Sequence, residues 1–383
     1  MEYVDRRCEQ RLQDDLSADN PCEPRGVLTS RVGFELELLA PPGSSRRELA
    51  LALAERFGGM ARPTFHADAE PSKVPGMDLF HHLTPAFEVL DSYGELRCTL
   101  VDDVTLVTDL DAHAPAEPGW YRIVSDDARI LRLVARHCDP GAPLDRCLQP
   151  IADLFGVHIE HKDEFVRVND DHGATIAIGA PLPGERHRTC EIVTPPFQTQ
   201  HAARLEELLG PARKLGFTIP TEAAAHVHFD APPLRDPTGL RNLVRLVFPR
   251  HAQLRWMVQT NPRCHGLGSL PASLVEVVED QAFLDASWDQ AQRLLGRLNL
   301  SKYADLNLRN LVQPPPGKDT IEWRILPGAL HAEPVIEGAR LFEAILRRAQ
   351  TGAAPDRLNA PVPPGPEGVR AFLAEIGLAD SWA

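Results

Sequence analysis

No stretch of this 383-residue chain approaches the ~18 consecutive apolar residues that a membrane-spanning helix requires, so no membrane partner is expected. Cysteine is sparse. The seven cysteines, at positions 8, 22, 98, 138, 147, 190 and 264, form neither CxxC pairs nor close groups. An odd, scattered set argues against a disulfide framework or a structural zinc site and suits a reducing, cytoplasmic setting. The histidine pairs His81-His82 and His158/His161 lack the cysteine or third spaced histidine that zinc would need. Positive charge is in deficit: 40 Lys plus Arg, nearly all arginine, stand against 54 Asp plus Glu, a formal net charge of -14. A nucleic-acid backbone would be repelled by that balance. Glycine-rich phosphate loops are missing as well, since neither GxxxxGKS/T nor GxGxxG occurs. Any nucleotide bound here must be held another way, with divalent cations set between its phosphates and the protein's carboxylates. Met1 to Asn20 is polar and mixed in charge, unlike a signal peptide.

What is present is the composition of a soluble globular protein, 43% hydrophobic and 25% charged. Residues 1–26 read as a flexible tail, residues 27–352 as one catalytic domain, and residues 353–383 as a proline-rich linker with a short helix. Period-two alternation predicts strands over 31–39, 165–168, 174–178, 189–193, 221–230, 304–312 and 320–326. Helical spacing predicts helices over 46–57, 129–137, 148–155, 201–215, 334–350 and 367–376, and two long ones over 240–258 and 272–298. Residues 61–119 read as β-rich and broken by prolines. Antiparallel-type strands with helices grouped between them imply an α+β fold, a sheet with helices on one face.

Three strands share one design. Glu35 and Glu37 stand at i and i+2, with Phe34, Leu36 and Leu38 pointing the other way. His226 and His228 likewise oppose Val227 and Phe229, and Glu322 and Arg324 oppose Ile321, Trp323 and Ile325. A fourth strand, Thr189–Val193, adds Glu191 and turns Cys190 to the apolar side. Antiparallel sheets often present one wet face to solvent, and Glu, His and Arg are ordinary there. Surface strands, however, usually mix Thr, Lys and Ser with their acids. Here the face is almost purely oxygen and imidazole donors plus a guanidinium, the inventory for hard divalent cations holding a polyphosphate.

The segments Gly33-Phe34-Glu35-Leu36-Glu37, Glu191-Ile192-Val193-Thr194-Pro195-Pro196, His226-Val227-His228-Phe229 and Ile321-Glu322-Trp323-Arg324, in that order, resemble the putative amidoligase family. That family belongs to the glutamate–cysteine ligase and glutamine synthetase superfamily of carboxylate–amine ligases. Lys302-Tyr303-Ala304-Asp305-Leu306-Asn307 resembles the element before the family's last strand, and Asp170-Asp171-His172-Gly173-Ala174-Thr175 its acidic strand. The resemblance spans roughly residues 31–330. Residues 94–163, which hold the acid-rich Val101–Asp111 segment and Trp120-Tyr121-Arg122, match no pattern and read either as a region that shapes the amine or carboxylate pocket or as a structural insertion.

The resemblance implies a glutamine synthetase-like curved antiparallel sheet with helices on one face. It implies metal ligation by Glu35, Glu37, Glu191, His226 and Glu322, with Glu35 bridging two ions. Arg324 would meet the transferring phosphate beside Glu322, and Lys302, Asn307 and Arg309 would join Arg324 in holding the nucleotide. His228 and Asp171 would face the substrate. The implied cofactors are ATP with Mg²⁺ or Mn²⁺, and the implied partners a carboxylate and an amine, each a small molecule or peptide. Two other readings stay open: a phosphotransferase on the related guanidino-kinase scaffold, and a non-catalytic metal- or nucleotide-binding module.

Overall fold

A computed structural model describes residues 27–71, 79–315, 317–351 and 361–379. The tail expected over 1–26, and residues 353–360 of the expected linker, lie outside the described residues. The strands are β1 (Val32–Leu39), β2 (Met60–Pro71), β3 (Leu79–Leu90), β4 (Leu96–Val101), β5 (Tyr121–Ser125), β6 (Ile159–His161), β7 (Val166–Asn169), β8 (Thr175–Pro181), β9 (Thr189–Val193), β10 (Ala224–Asp230), β11 (Leu306–Asn307) and β12 (Thr320–Pro327). They form one antiparallel sheet in the order β11-β12-β10-β1-β9-β4-β3-β5-β8-β7-β6, with β2 paired to β3. The helices are α1 (Arg46–Arg56), α2 (Ala128–His137), α3 (Gln149–Phe155), α4 (His201–Lys214), α5 (Pro237–Val247), α6 (His251–Met257), α7 (Ala272–Glu279), α8 (Gln281–Leu284), α9 (Trp288–Gly296), α10 (Arg309–Val312), α11 (Ala332–Gln350) and α12 (Pro366–Glu375). The fold is therefore α+β, and no helix among the described residues is long and apolar enough to cross a membrane.

The apolar sides of the strands pack on helices as the alternation requires. Phe34, Leu36 and Leu38 of β1, Val227 of β10 and Trp323 of β12 enter one large core with residues of α1, α4, α5, α7 and α11. Trp323 stacks on Phe342 of α11, ring centroids 4.3 Å apart, a contact that contributes ~0.5–1.5 kcal/mol beyond burial. Cys190 is fully buried in this core. A second core lies under β3, β5, β7 and β8, where Leu83, Ile123 and Val168 meet Val134 of α2 and Ile151 of α3. Both cores draw on one side of β3, Leu83 for the smaller and Phe87 and Val89 for the larger.

Strand β3 is the spine that joins the two halves. Strand β2 runs beside its whole length, while β5 pairs residues 81–83 and β4 pairs residues 87–90. A strand has two edges, so β4 and β5 share the second one and leave a gap at residues 84–86. Pro85 sits in that gap, where a missing N–H removes no ladder bond. Its carbonyl accepts from Arg46 Nε and Nη2 at 3.2 and 3.1 Å. Arg46 is fully buried, also donates to the carbonyls of Arg186 and Thr189, and lies 4.2 Å from the Trp120 ring centroid. Burial lowers its pKa to about 10 despite Asp102. Pro63 is tolerated on β2, which among the described residues pairs only with β3.

Three expectations are corrected. The helix expected over 240–258 breaks at the 3-10 turn Phe248–Arg250, because Pro249 lacks an N–H and its ring clashes with the preceding turn. The one expected over 272–298 is α7, α8 and α9. Asp280 accepts from Ala282 N at 2.8 Å, and the Ser287 N–H donates to the Gln290 side chain at 2.9 Å, so each new start is capped. The strand expected over 304–312 is only Leu306–Asn307, since Asn307 Oδ1 accepts from Arg309 N at 2.9 Å and turns the chain into α10.

Two features shape the face opposite the larger core. Between Ala225↔Leu326 and Val227↔Trp323, three steps along β12 match two along β10. This bulge sends both Ile325 and Leu326 into the core; on the other edge of β12 the Arg324 N–H donates to the Asp305 carbonyl at 3.0 Å. The sheet also curls. Strands β11 and β2 are seven steps apart, roughly 30 Å in a flat sheet, yet Lys302 Nζ, just before β11, lies 3.5 Å from Asp68 Oδ1 on β2. The segment before β11 thus meets β2, and the sheet between them is concave.

Candidate active site

Register carries the predicted side chains into one patch. Glu35 pairs with His226 on β10 and Val193 on β9, Glu37 with Glu191, and Glu322 with both His228 and Asn307. Paired residues in antiparallel strands point to the same side. The result is not a wet surface: Glu37, His226 and Glu322 are 4%, 3% and 5% exposed.

His226 is the hub. Its Nδ1 lies 3.2 Å from Glu35 Oε2, 3.5 Å from Glu322 Oε1 and 3.9 Å from Glu191 Oε1, and its Nε2 lies 3.4 Å from Glu37 Oε1. His228 Nε2 lies 3.2 Å from Glu35 Oε1, with Nδ1 3.2 Å from Thr320 Oγ1. Glu37 Oε2 accepts from Ala224 N at 2.7 Å. Glu322 accepts from Asn307 Nδ2 at 2.7 Å and from Arg324 Nη1.

The electrostatics divide the acids into two kinds. Burial would raise the Glu35 carboxyl, but His228, His226 and Lys318 together hold it well below the ordinary carboxylate range. Burial acts on Glu322 in the same way, and Arg324 with His228 outweighs it. For Glu37 the Ala224 N–H and Arg324, and for Glu191 Lys318, pull against burial but are outweighed. Burial pushes both well above the usual range, and neighbouring acids, Asp103 for Glu37 and Glu35 then Asp103 for Glu191, push further. Burial opposes a charged His228, but Glu35 and Glu322 raise its pKa all the same.

Three groups of donors converge closely enough to hold cations: Glu35, Glu191 and His226; Glu35, His228 and Glu322; and Glu37, Asp103 and Glu191. Within each, the ligand atoms lie within 4.8 Å of one another. Glu35 and Glu191 each belong to two groups and could bridge neighbouring ions. Carboxylate oxygens with a minority of imidazole nitrogens fit Mg²⁺ or Mn²⁺ better than zinc.

Two participants escaped the sequence reading. Asp103 follows β4, where Thr99 and Val101 pair with Val193 and Glu191; continuing that alternation by one step puts Asp103 on the ligand face. Lys318 lies two residues before β12, its Nζ 4.0 Å from Glu35 Oε1. Glu35, ahead of any other neighbour, raises its pKa.

Other expected contacts lie elsewhere. Lys302 reaches across to Asp68 and the Ala69 carbonyl rather than to the cluster. The structure does not bring Asp171 or Arg309 to the patch. Asp171 occupies the exposed turn between β7 and β8, whose backbone is tied down by the Asp170 side chain. Arg309 opens α10 with an exposed side chain, because the Asn307 cap turns the chain away from the face. A separate cleft of about 450 Å³ opens in the second half, between Trp120, Leu144 and Phe165.

Fold and site thus define an α+β protein whose curled sheet encloses an acid-rich, multi-ligand face. The chain belongs to the family described as putative amidoligase enzyme, whose model matches residues 28–346. That places it among ligase-type enzymes. No curated protein matches it.

Proposed function

We propose that the protein is an ATP-dependent carboxylate–amine ligase, working through an acyl phosphate on a glutamine synthetase-like scaffold. The observation that carries this reading is the trio of overlapping donor groups on one enclosed face, with Glu35 and Glu191 each shared. Buried carboxylates whose neighbours do not offset burial, as with Glu37 and Glu191, favour bound cations. Mg²⁺ or Mn²⁺, when bound, would neutralise the phosphate oxygens and let an acidic protein accept ATP.

A free carboxylate acylates amines poorly because its oxygen is a bad leaving group. Transfer of the γ-phosphoryl group to that oxygen gives an acyl phosphate; attack by the amine then expels phosphate and leaves an amide. The chain's own groups have three tasks. Glu35, Glu37, Glu191, His226 and Glu322, joined by Asp103 and His228, would hold the charge-neutralising ions. Arg324, buttressed by Glu322, offers a forked donor where charge grows on the phosphoryl oxygens. The curl closed by Lys302 and Asp68 limits water, which would otherwise hydrolyse the acyl phosphate. Asn307 keeps Glu322 oriented. Substrates would be small molecules or peptides bearing a carboxylate and an amine.

The test is an ADP-release screen with pooled amino acids, amines and dipeptides, followed by mass spectrometry of the active pool. Formation of ADP, phosphate and an amide is expected. ADP with a stable phosphorylated product would instead identify a phosphotransferase, and Mg²⁺-dependent ATP binding without turnover in any pool a binding module.

A further inference from the structure

We propose that the cleft at the open end of the second core is a docking site for a peptide segment carrying lysine or arginine beside apolar residues. It lies apart from the ligand face and does not rest on the ligase reading.

Strand alternation places the cleft. Tyr121 of β5 and Val166 of β7 line it and belong to the second core, so it opens on the helix side of the sheet, opposite the ligand face. The strand path from β1 runs through β9, β4 and β3 before it reaches β5. Its volume of about 450 Å³ falls within the ~300–1,000 Å³ of sites that enclose a small ligand. A folded partner could not enter, but a short stretch of extended chain could. The walls are apolar, built from Pro118, Pro143, Pro181, Leu144 and Phe165. Phe165 is half-buried yet belongs to neither core, so its ring serves the cleft rather than the packing of the fold. Trp120, also in the lining, is 4% exposed, and its indole N–H donates to no acceptor among the described residues. Buried indoles usually find a partner; a carbonyl of a chain held in the cleft would supply one.

The rim is nearly of one sign. Glu117, Asp145, Asp163 and Glu164 are exposed, and no hydrogen bond or ion pair engages their carboxylates among the described residues. Against them stand His161 and Lys162. Glu160, outside the cleft, lies 3.6 Å from the lysine and offsets it. Four carboxylates above low-dielectric walls focus a negative potential into the space between them. A long side chain with an apolar stem and a cationic head matches this arrangement, its methylenes against the prolines and Phe165 and its charge at the acids. The free Trp120 donor favours a peptide over a plain amine, because an amine brings no carbonyl to accept from it.

The test is to pan a random heptapeptide library on the full chain in Mg²⁺ buffer, with the double variant Asp163→Lys/Glu164→Lys as counter-selection. Enriched peptides should carry lysine or arginine next to an aromatic or aliphatic residue. By fluorescence anisotropy, the best of them should bind the double variant about 10-fold more weakly than wild type. Phe165→Ser should cost a similar factor, and Trp120→Phe, which keeps the ring and loses the donor, about two- to fivefold. Added salt should weaken binding to wild type more than to the double variant. Both reversed acids are exposed, so the double variant should melt with wild type. No enrichment over the double variant, enrichment of acidic peptides, or loss of binding in Glu35→Ala instead would overturn the proposal. Displacement of the peptide by spermine at equal concentration would overturn its assignment to a peptide. Amide synthesis plays no part in these readouts, so failure of the ligase reading would leave the docking site standing.

Discussion

At the end of β4 two consecutive aspartates point in different directions and meet different company. Asp102 is 2% exposed, accepts from Arg186 Nη2 at 2.6 Å and from Thr189 Oγ1, and lies near the buried Arg46. Burial alone would raise its pKa; Arg186 and Arg46 outweigh that and lower it. Asp103 accepts from Thr105 and turns its carboxylate toward Glu37 and Glu191, adding a third acid to two that burial already disfavours. The first neighbourhood sets arginines, Arg186 and Arg46 foremost, around a single carboxylate. The second holds an excess of acids that Arg324, acting on Glu37, and Lys318, acting on Glu191, do not offset. Compensation within the fold marks a structural charge, and under the proposed function its shortfall marks the place for cations.

Substitutions on each side should break this contrast in opposite ways. Glu35→Ala removes the acid shared by two donor groups, and turnover should fall more than about 10³-fold, equivalent to several kcal/mol of lost charge stabilisation. Melting temperature should stay near that of wild type; a large drop would make Glu35 a structural residue. Asp102→Asn should do the reverse. Breaking a buried pair from one side costs ~3–5 kcal/mol, so the variant should melt several degrees lower yet retain Mg²⁺-dependent ATP binding. The sign with pH follows from the lowered pKa of Asp102. Its contribution is complete above the ordinary aspartate value near ~3.9 and fades as pH falls through the lower folded-state value. Melts from pH 7 down to 3 should therefore narrow the gap between wild type and Asp102→Asn at the acid end; a gap constant with pH would contradict this.

Arg324→Lys keeps the charge and loses the fork. If Arg324 meets the phosphoryl group, kcat should fall roughly 10²–10³-fold, or ~3–4 kcal/mol, with ATP affinity changed much less. A rate within about threefold of wild type, only ~0.7 kcal/mol, would remove it from the catalytic list. The smallest effect is the most discriminating. Glu191→Gln relieves a crowded acid, so the metal-free variant should melt no lower than wild type, with a change of at most ~1 kcal/mol. Added Mg²⁺ should then raise its melting temperature less than that of wild type. Equal Mg²⁺ stabilisation in both proteins would exclude Glu191 as a ligand.

Much of this site was legible because strand alternation is a local rule. Glu35, Glu37, His226, His228 and Glu322 could be assigned to a polar face from period two alone, and β9 spans the same residues in sequence and structure. Burial of that face was not legible, because it comes from the curl that joins Lys302 to Asp68, residues 234 positions apart. Asp103 was hidden one step past the strand that orients it. The bulge at Arg324 needs the pairing of β10 with β12, and the broken helices yielded to Pro249 and to the caps at Asp280 and Ser287. The place of residues 94–163 depended on register as well, since β4 lies inside the strand path between β9 and β3 and β5 follows β3.

The central claim, that uncompensated acids on the concave face take a polyphosphate only through divalent cations, is tested most directly by calorimetric titration of ATP into the purified protein. With Mg²⁺ or Mn²⁺ present, ATP should bind saturably; in EDTA, binding should vanish, because five facing carboxylates repel the bare phosphates. ATP binding of equal tightness in EDTA would contradict the account.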